Sequence, residues 1–248
     1  MSLNRPFLAP RLALAALLLL MSVCTTSTAD PLQQRIATTL REQGLTGAVW
    51  ATVAAEGRVA TGAAGIRNAR SGEALRADDR VQVGSIAKPM LALGLLRLVS
   101  QGRLSLDAPL ATLLPDLAIQ NPWAATDPLR LRHLLDHSAG LDDTRFSQLL
   151  SLRAGPDTPL AEAFTGRSPD LLRLRSRPGS RMSYSNMGYT LAGMVIEAVS
   201  GQRYEAYLDE QLLRPLGLTD SSFRFLSQEG PQADSRLAMG HFEGGATQ

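Results

Sequence analysis

The stretch Val83-Gly84-Ser85-Ile86-Ala87-Lys88-Pro89-Met90 decides how this chain is read. Lys88 is the only lysine among 25 Lys and Arg residues, so arginine is used for every other long cation. Arginine stays protonated, whereas a desolvated lysine can release its proton and act as a base. Ser85 precedes Lys88 by three residues, one helical turn, so the two side chains share a face. Pro89 is tolerated in a first helical turn, where its missing N–H costs nothing. It therefore sets the helix start near Ser85, and the apolar pattern Met90, Leu91, Leu93, Leu95, Leu96, Leu98 carries that helix to Gln101. Gly102 supplies the stop. A serine at this helix end sits in positive potential, next to an amine that can take its proton. Its backbone N–H is a candidate oxyanion donor.

Working outward, Pro31 to Gln43 reads as an amphipathic helix through Leu32, Ile36 and Leu40. Gly47–Ala55 and Arg58–Ile66, separated by Glu56-Gly57, read as a hairpin. Residues Asn68 to Asp79 read as a polar loop and Arg80 to Val83 as a short strand. Leu104 to Ser180 is punctuated by prolines and reads as loops and short helices. Met187–Val199 and Tyr204–Leu213 read as two further helices, and Gly240 to Gln248 as a Gly-rich tail.

The first 29 residues have the layout of a secretory signal peptide. Arg5 and Arg11 precede the apolar run Leu12 to Val23, and Ser27 and Ala29 fit a cleavage site after Ala29. The run is short for a transmembrane span. The mature chain, 30–248, is thus expected to be a single periplasmic or secreted domain without a membrane span. An uncleaved anchor is one alternative. A lipoprotein built on Cys24 is another, although Val23 stands where a small residue is wanted. Without Arg5 and Arg11 the basic and acidic residues balance at 23 each, which gives no electrostatic case for nucleic acid. Cys24 is the only cysteine, so the mature chain forms no disulfide.

A second motif, Tyr184-Ser185-Asn186, lies just before a helix. A phenol needs a nearby cation to become a useful base, and Lys88 is the one lysine that can supply it. Asn186 offers an amide for a substrate carbonyl. The structural alternative makes Tyr184 a packing residue and Asn186 a helix N-cap. His133 and His137 are four apart, but Leu134 stands where a zinc-hydrolase helix needs Glu, so no metal is assigned. His137 is read as a brace for the turn before Gly140. Gly-x-Ser-x-Gly and Gly-rich phosphate loops are absent, and no cofactor is expected.

Taken together these stretches resemble the serine β-lactamase and penicillin-binding-protein superfamily, in the branch of class C β-lactamases, their esterase relatives and D-alanyl-D-alanine carboxypeptidases. Four blocks in family order carry the resemblance. They are Val83 to Lys88, Leu134-Leu135-Asp136-His137-Ser138-Ala139-Gly140-Leu141, Pro178 to Tyr189, and Leu213 to Phe223. The likeness runs from about Pro31 to His241. It implies an α+β, sandwich-like fold: an antiparallel sheet flanked by helices, plus a helical subdomain. It also implies Ser85 as acylated nucleophile, Lys88 as its activating partner, Tyr184 as general acid/base and Asn186 as substrate binder. The expected substrate is a small molecule or peptidoglycan-derived: a β-lactam, a D-Ala-D-Ala peptide or a small ester. The expected state is a monomer. The family's third motif, Lys-Thr-Gly or His-x-Gly, is not found. Lys88 is already used, and His241-Phe242-Glu243-Gly244 has the wrong spacing. The resemblance therefore implies a domain lacking its C-terminal strands and last helix. The alternative function is a catalytically impaired binding module, and a structural envelope protein is a third reading.

Overall fold

The computed structural model describes residues 30–145, 154–164 and 169–240. The N-terminal signal-like stretch and the His241–Gly244 stretch lie outside these residues. The chain divides into two compact units, one through Ala77 and one from Asp78. Among the described residues no helix is long and apolar enough to cross a membrane.

In the first unit, helix α1 (Pro31–Glu42) begins where Asp30 accepts the Leu32 N–H at 3.0 Å, with Pro31 in its first turn. It packs on an antiparallel sheet of β1 (Gly47–Val53), β2 (Val59–Asn68) and β3 (Glu73–Ala74), in the order β1-β2-β3. The β1/β2 register runs from Gly47 opposite Gly65 to Val53 opposite Val59, around the turn read from Glu56-Gly57. Trp50 lies opposite Gly62 and occupies the space that a Cβ there would need. The stretch read as a polar loop contains β3. Asn68 makes it possible by accepting the N–H groups of Arg70 and Ser71, which turns the chain back, and Arg67 pairs with Glu73 at 3.0 Å.

In the second unit the strand read at Arg80–Val83 reduces to a bridge at Arg80. Its N–H donates to the Arg236 carbonyl, its carbonyl accepts from Ala238, and its guanidinium pairs with Asp234 at 2.7 Å. The chain then enters a 3₁₀ turn, Gly84–Ile86, that leads into α2 (Ala87–Ser100). Leu91, Leu95 and Leu98 of α2 are buried, while Leu93 and Leu96 face outward. Short helices α3 (Leu110–Leu113) and α4 (Leu131–Leu135) follow, then 3₁₀ turns at Leu160–Phe164 and Pro169–Leu172. Helix α5 (Asn186–Ser200) buries Met187, Leu191, Ala192, Val195 and Ile196, and Gly201 ends it in the left-handed region. Helix α6 (Tyr204–Leu208) widens into a π turn, Asp209–Leu213, where the sequence reads one continuous helix. Asp209 is buried in that turn and its carboxylate accepts from the Ser222 hydroxyl and the Phe223 N–H, tying the following loop to the helix.

The core joins α2, α4, α5 and α6 through side chains such as Leu95, Leu134, Leu191 and Leu208. Burying each of these removes apolar surface worth about 1.5–3 kcal/mol as an upper estimate. Gly140 is required where the core meets the loops. It has φ +77°, and a Cβ there would stand 2.1 Å from the Ser176 carbonyl oxygen. Gly140→Ala is therefore expected to cost about 1–3 kcal/mol, seen as a fall in Tm by thermal denaturation. An unchanged Tm would show that this backbone can relax.

Candidate active site

The 3₁₀ turn places Ser85 at the head of α2, and Lys88 follows in the first turn of that helix. Tyr184 stands in the loop before α5, and Asn186 opens α5. The fold brings all four together. The Lys88 Nζ donates to the Ser85 Oγ at 3.0 Å and to the Asn186 Oδ1 at 2.7 Å. The Ser85 Oγ and the Tyr184 Oη are 2.7 Å apart, with either able to donate. Ser85 and Tyr184 are exposed at this point and Lys88 is half-buried, so the reactive oxygens face solvent while the amine is supported from below.

The helix N-cap is Ser185, whose hydroxyl accepts the Gly188 N–H at 3.2 Å. That assigns the capping role to the middle residue of the motif and frees Asn186 for side-chain contacts. Both ends of its amide are engaged: the oxygen with Lys88, the nitrogen with the Asp143 carboxylate at 3.1 Å. Asp143 also accepts the Asn186 backbone N–H at 2.7 Å and the Thr144 N–H at 2.7 Å. Partial burial raises the Asp143 carboxyl, but the donors from Asn186 and Thr144 outweigh it and hold it below the usual carboxylate range. The charge is thus kept well into acid, and the amide cannot turn over without leaving a donor against the Lys88 amine.

Asp143 is absent from the sequence reading, and His137, read there as a brace for the turn before Gly140, has a wider role. Helix α4 ends at Leu135, so His137 lies beyond it and does not share a helical face with His133. His133 instead accepts the Arg130 N–H through Nδ1. His137 has φ +59°, the sole positive value of a non-glycine residue among those described. This turn lets the residue hold the chain around Tyr184 at two points. Its carbonyl accepts the Ser183 N–H at 2.8 Å and its Nδ1 accepts the Ser185 N–H at 3.2 Å. Its ring stacks on the Tyr184 ring with centroids 4.4 Å apart. Burial, and then the charge of Lys88, push the imidazole below the usual histidine range, in keeping with a neutral ring whose Nδ1 is an acceptor. The one sequence signal for His137 and Asp143 is their place in or just after the His137-Ser138-Ala139-Gly140-Leu141 block.

The electrostatics favour a reactive phenol. Hydrogen bonding from the Lys88 amine and then from the Ser85 hydroxyl holds the Tyr184 phenol below the usual tyrosine range, against a smaller opposing effect of burial, and the charge of Lys88 adds a lesser contribution. The Lys88 Nζ lies 4.9 Å from the centroid of the Tyr184 ring and 5.6 Å from that of Tyr189. Tyr189 is fixed by donating to the Leu135 carbonyl. A hydroxyl, an acid/base within hydrogen-bond reach of it, and a cation that tunes that base are the parts needed for nucleophilic acyl transfer. Among the described residues no cluster of His, Cys, Asp and Glu is arranged to hold a metal ion.

Comparison with known proteins bears on the family and the fold. A family model described as Beta-lactamase matches residues 32–244. Esterase EstB of Burkholderia gladioli is 34% identical over 191 residues, covering 74% of this chain and 48% of that protein. The octameric penicillin-binding protein homologue from Pyrococcus abyssi superposes with a TM-score of 0.70 at 27% identity, over 88% of this chain and 49% of that one. D-amino acid amidase from Ochrobactrum anthropi SV3 superposes with a TM-score of 0.60 at 28% identity, over 75% and 50%. The chain spans about half the length of these relatives.

Proposed function

Because the chain belongs to the beta-lactamase family, we propose that it is an exported serine hydrolase that opens a small ester, a β-lactam or a D-Ala-D-Ala amide through an acyl-enzyme on Ser85. The observation that carries this reading is the continuous hydrogen-bonded run Tyr184–Ser85–Lys88–Asn186, each link between 2.7 and 3.0 Å. The Tyr184 phenolate takes the proton from Ser85 as the Ser85 Oγ bonds to the acyl carbon. The same proton then passes from Tyr184 to the leaving oxygen or nitrogen as that bond breaks. A water, deprotonated by Tyr184 in turn, releases the acid and restores Ser85. Lys88 keeps the phenol acidic enough to work and stays in place because Asn186 and Asp143 hold it. The signal-like N-terminal stretch supports export.

The test is the site of acylation. Purified protein treated with a fluorophosphonate probe or a fluorescent penicillin is digested, and the adduct is located by mass spectrometry. An adduct on Ser85 is expected; labelling spread over other serines, or equal in heat-denatured protein, overturns the reading.

Asp143 gives a further expected result. Asp143→Asn removes a charged acceptor from two Asn186 donors, each such bond contributing about 1.5–3 kcal/mol. A fall in kcat/KM of roughly 10- to 100-fold is expected, carried by kcat because the loss lies in the placement of Lys88. A rise in KM with kcat intact would instead put Asp143 in substrate binding.

A further inference from the structure

Beside the reactive residues, between α2 and α5, lies a cavity of about 260 Å³. Its wall is graded. At one end stand Lys88, Asn186 and Thr190, with Tyr189 beside Lys88. At the other stand Leu91, Leu160, Gly193 and Phe223, with the ring of Tyr204. The gradation follows from helix periodicity: Asn186, Thr190 and Gly193 form one stripe of α5, polar at the head and bare at the far end. Seven residues of helix put Gly193 about 10 Å beyond Asn186. The π turn contributes too, because the Asp209 carboxylate holds the Phe223 N–H at 2.7 Å and so fixes one wall. Gly193 keeps the far end open. A Cβ there would stand 3.0 Å from the Leu160 Cδ1 and 3.7 Å from the Tyr204 ring.

We propose that this cavity is the acyl pocket of the Ser85 site and that it takes an apolar acyl group, a medium-length alkyl or a phenylalkyl chain. The inference rests on the acyl-enzyme reading above. Two observations carry it. The cavity reaches Gly84, Ala87 and Lys88, the residues flanking the nucleophile, so its near end lies beside an acyl group bonded to Ser85. The side chains of Leu91, Leu160 and Phe223 give the wall away from Lys88 a largely apolar character, with the Tyr204 ring beside them, which rewards methylene and aryl groups and penalises charged ones. The size fits: an apolar cavity of about 150 Å³ already holds benzene. A small acetyl group would leave most of the space to water.

The experiment measures kcat/KM for p-nitrophenyl acetate, butanoate, octanoate and phenylacetate. A rise of about fourfold per added methylene is expected until the pocket is filled. Gly193→Val is expected to collapse the octanoate-to-acetate ratio towards one. Leu160→Ala, a smaller change at the same wall, is expected to shift the preference to longer chains, and it carries the test where Gly193→Val does not fold. Independently of turnover, saturation-transfer NMR on Ser85→Ala is expected to show octanoate binding that Gly193→Val abolishes. A flat acyl series in protein that is labelled on Ser85 overturns the pocket and leaves the hydrolase reading standing. Octanoate binding sensitive to Gly193, in protein that neither labels on Ser85 nor hydrolyses esters, upholds the pocket and overturns the hydrolase reading. The absence of both a graded series and Gly193-sensitive binding overturns the pocket outright.

Discussion

Ser85→Ala is expected to lower kcat/KM for ester hydrolysis by roughly 10⁴- to 10⁶-fold, the scale found when the nucleophile of a covalent hydrolase is removed. The size of the effect follows from the position of one oxygen. The Ser85 Oγ is the atom on which the Lys88 amine and the Tyr184 phenol converge, at 3.0 and 2.7 Å. Removing it deletes the group that bonds to the acyl carbon and breaks the connection between base and cation. Nothing else changes much. The Lys88–Asn186 bond and the stack of Tyr184 on His137 do not involve the hydroxyl. Ser85 is exposed, so stability is expected to change by no more than about 0.5 kcal/mol. The check is a steady-state assay with intact-protein mass after acylation, alongside a melting curve. A loss smaller than tenfold, with the fold intact, would assign the chemistry to another residue.

Tyr184→Phe is expected to lower kcat by roughly 10²- to 10⁴-fold, the contribution of a positioned general acid/base. The phenyl ring keeps the 4.4 Å stack on His137, so the variant subtracts the hydroxyl alone. The pH dependence identifies the role. The Tyr184 phenol is held below the usual tyrosine range by Lys88 and Ser85. Its phenolate fraction, and with it kcat/KM, therefore rises with pH through that lowered value and levels off above it. Tyr184→Phe is expected to lose this rising limb. Lys88→Met removes the cation that favours the phenolate, so the limb is expected to move to higher pH. A limb that stays in place in both variants would belong to a different group.

Much of the fold was legible because its signals are local. Pro89 and Gly102 bracket α2, Gly201 ends α5, and Glu56-Gly57 turns the hairpin; each acts within a few residues of itself. The four candidate site residues were legible for another reason, since their types and spacing belong to one chemistry. Features governed by distant partners were not. Arg80 is positioned by Asp234 and by backbone groups of Arg236 and Ala238, remote in sequence. The widening at Asp209 accompanies bonds to Ser222 and Phe223. Asp143 matters because α5 brings Asn186 against it, and His137 because an unusual backbone angle turns it towards Ser183 and Ser185. Periodicity carries none of that information. The same limit applies to the cavity beside Lys88, whose wall joins Leu91 of α2, Gly193 of α5 and Phe223 of a loop.

The lone amine at the centre of this site has a practical consequence. Lys88 is the only lysine in the sequence, and its nitrogen touches Ser85 and Asn186 at once. Protein grown with isotopically labelled lysine yields a side-chain spectrum with a single line, and that line comes from the amine that bonds Ser85 and Asn186. Its frequency followed across a titration reads the protonation of the Lys88 amine directly, and its displacement on adding an ester or a penicillin reads occupancy. In proteins with dozens of lysines such a signal is lost among its neighbours; here arginine has cleared the spectrum.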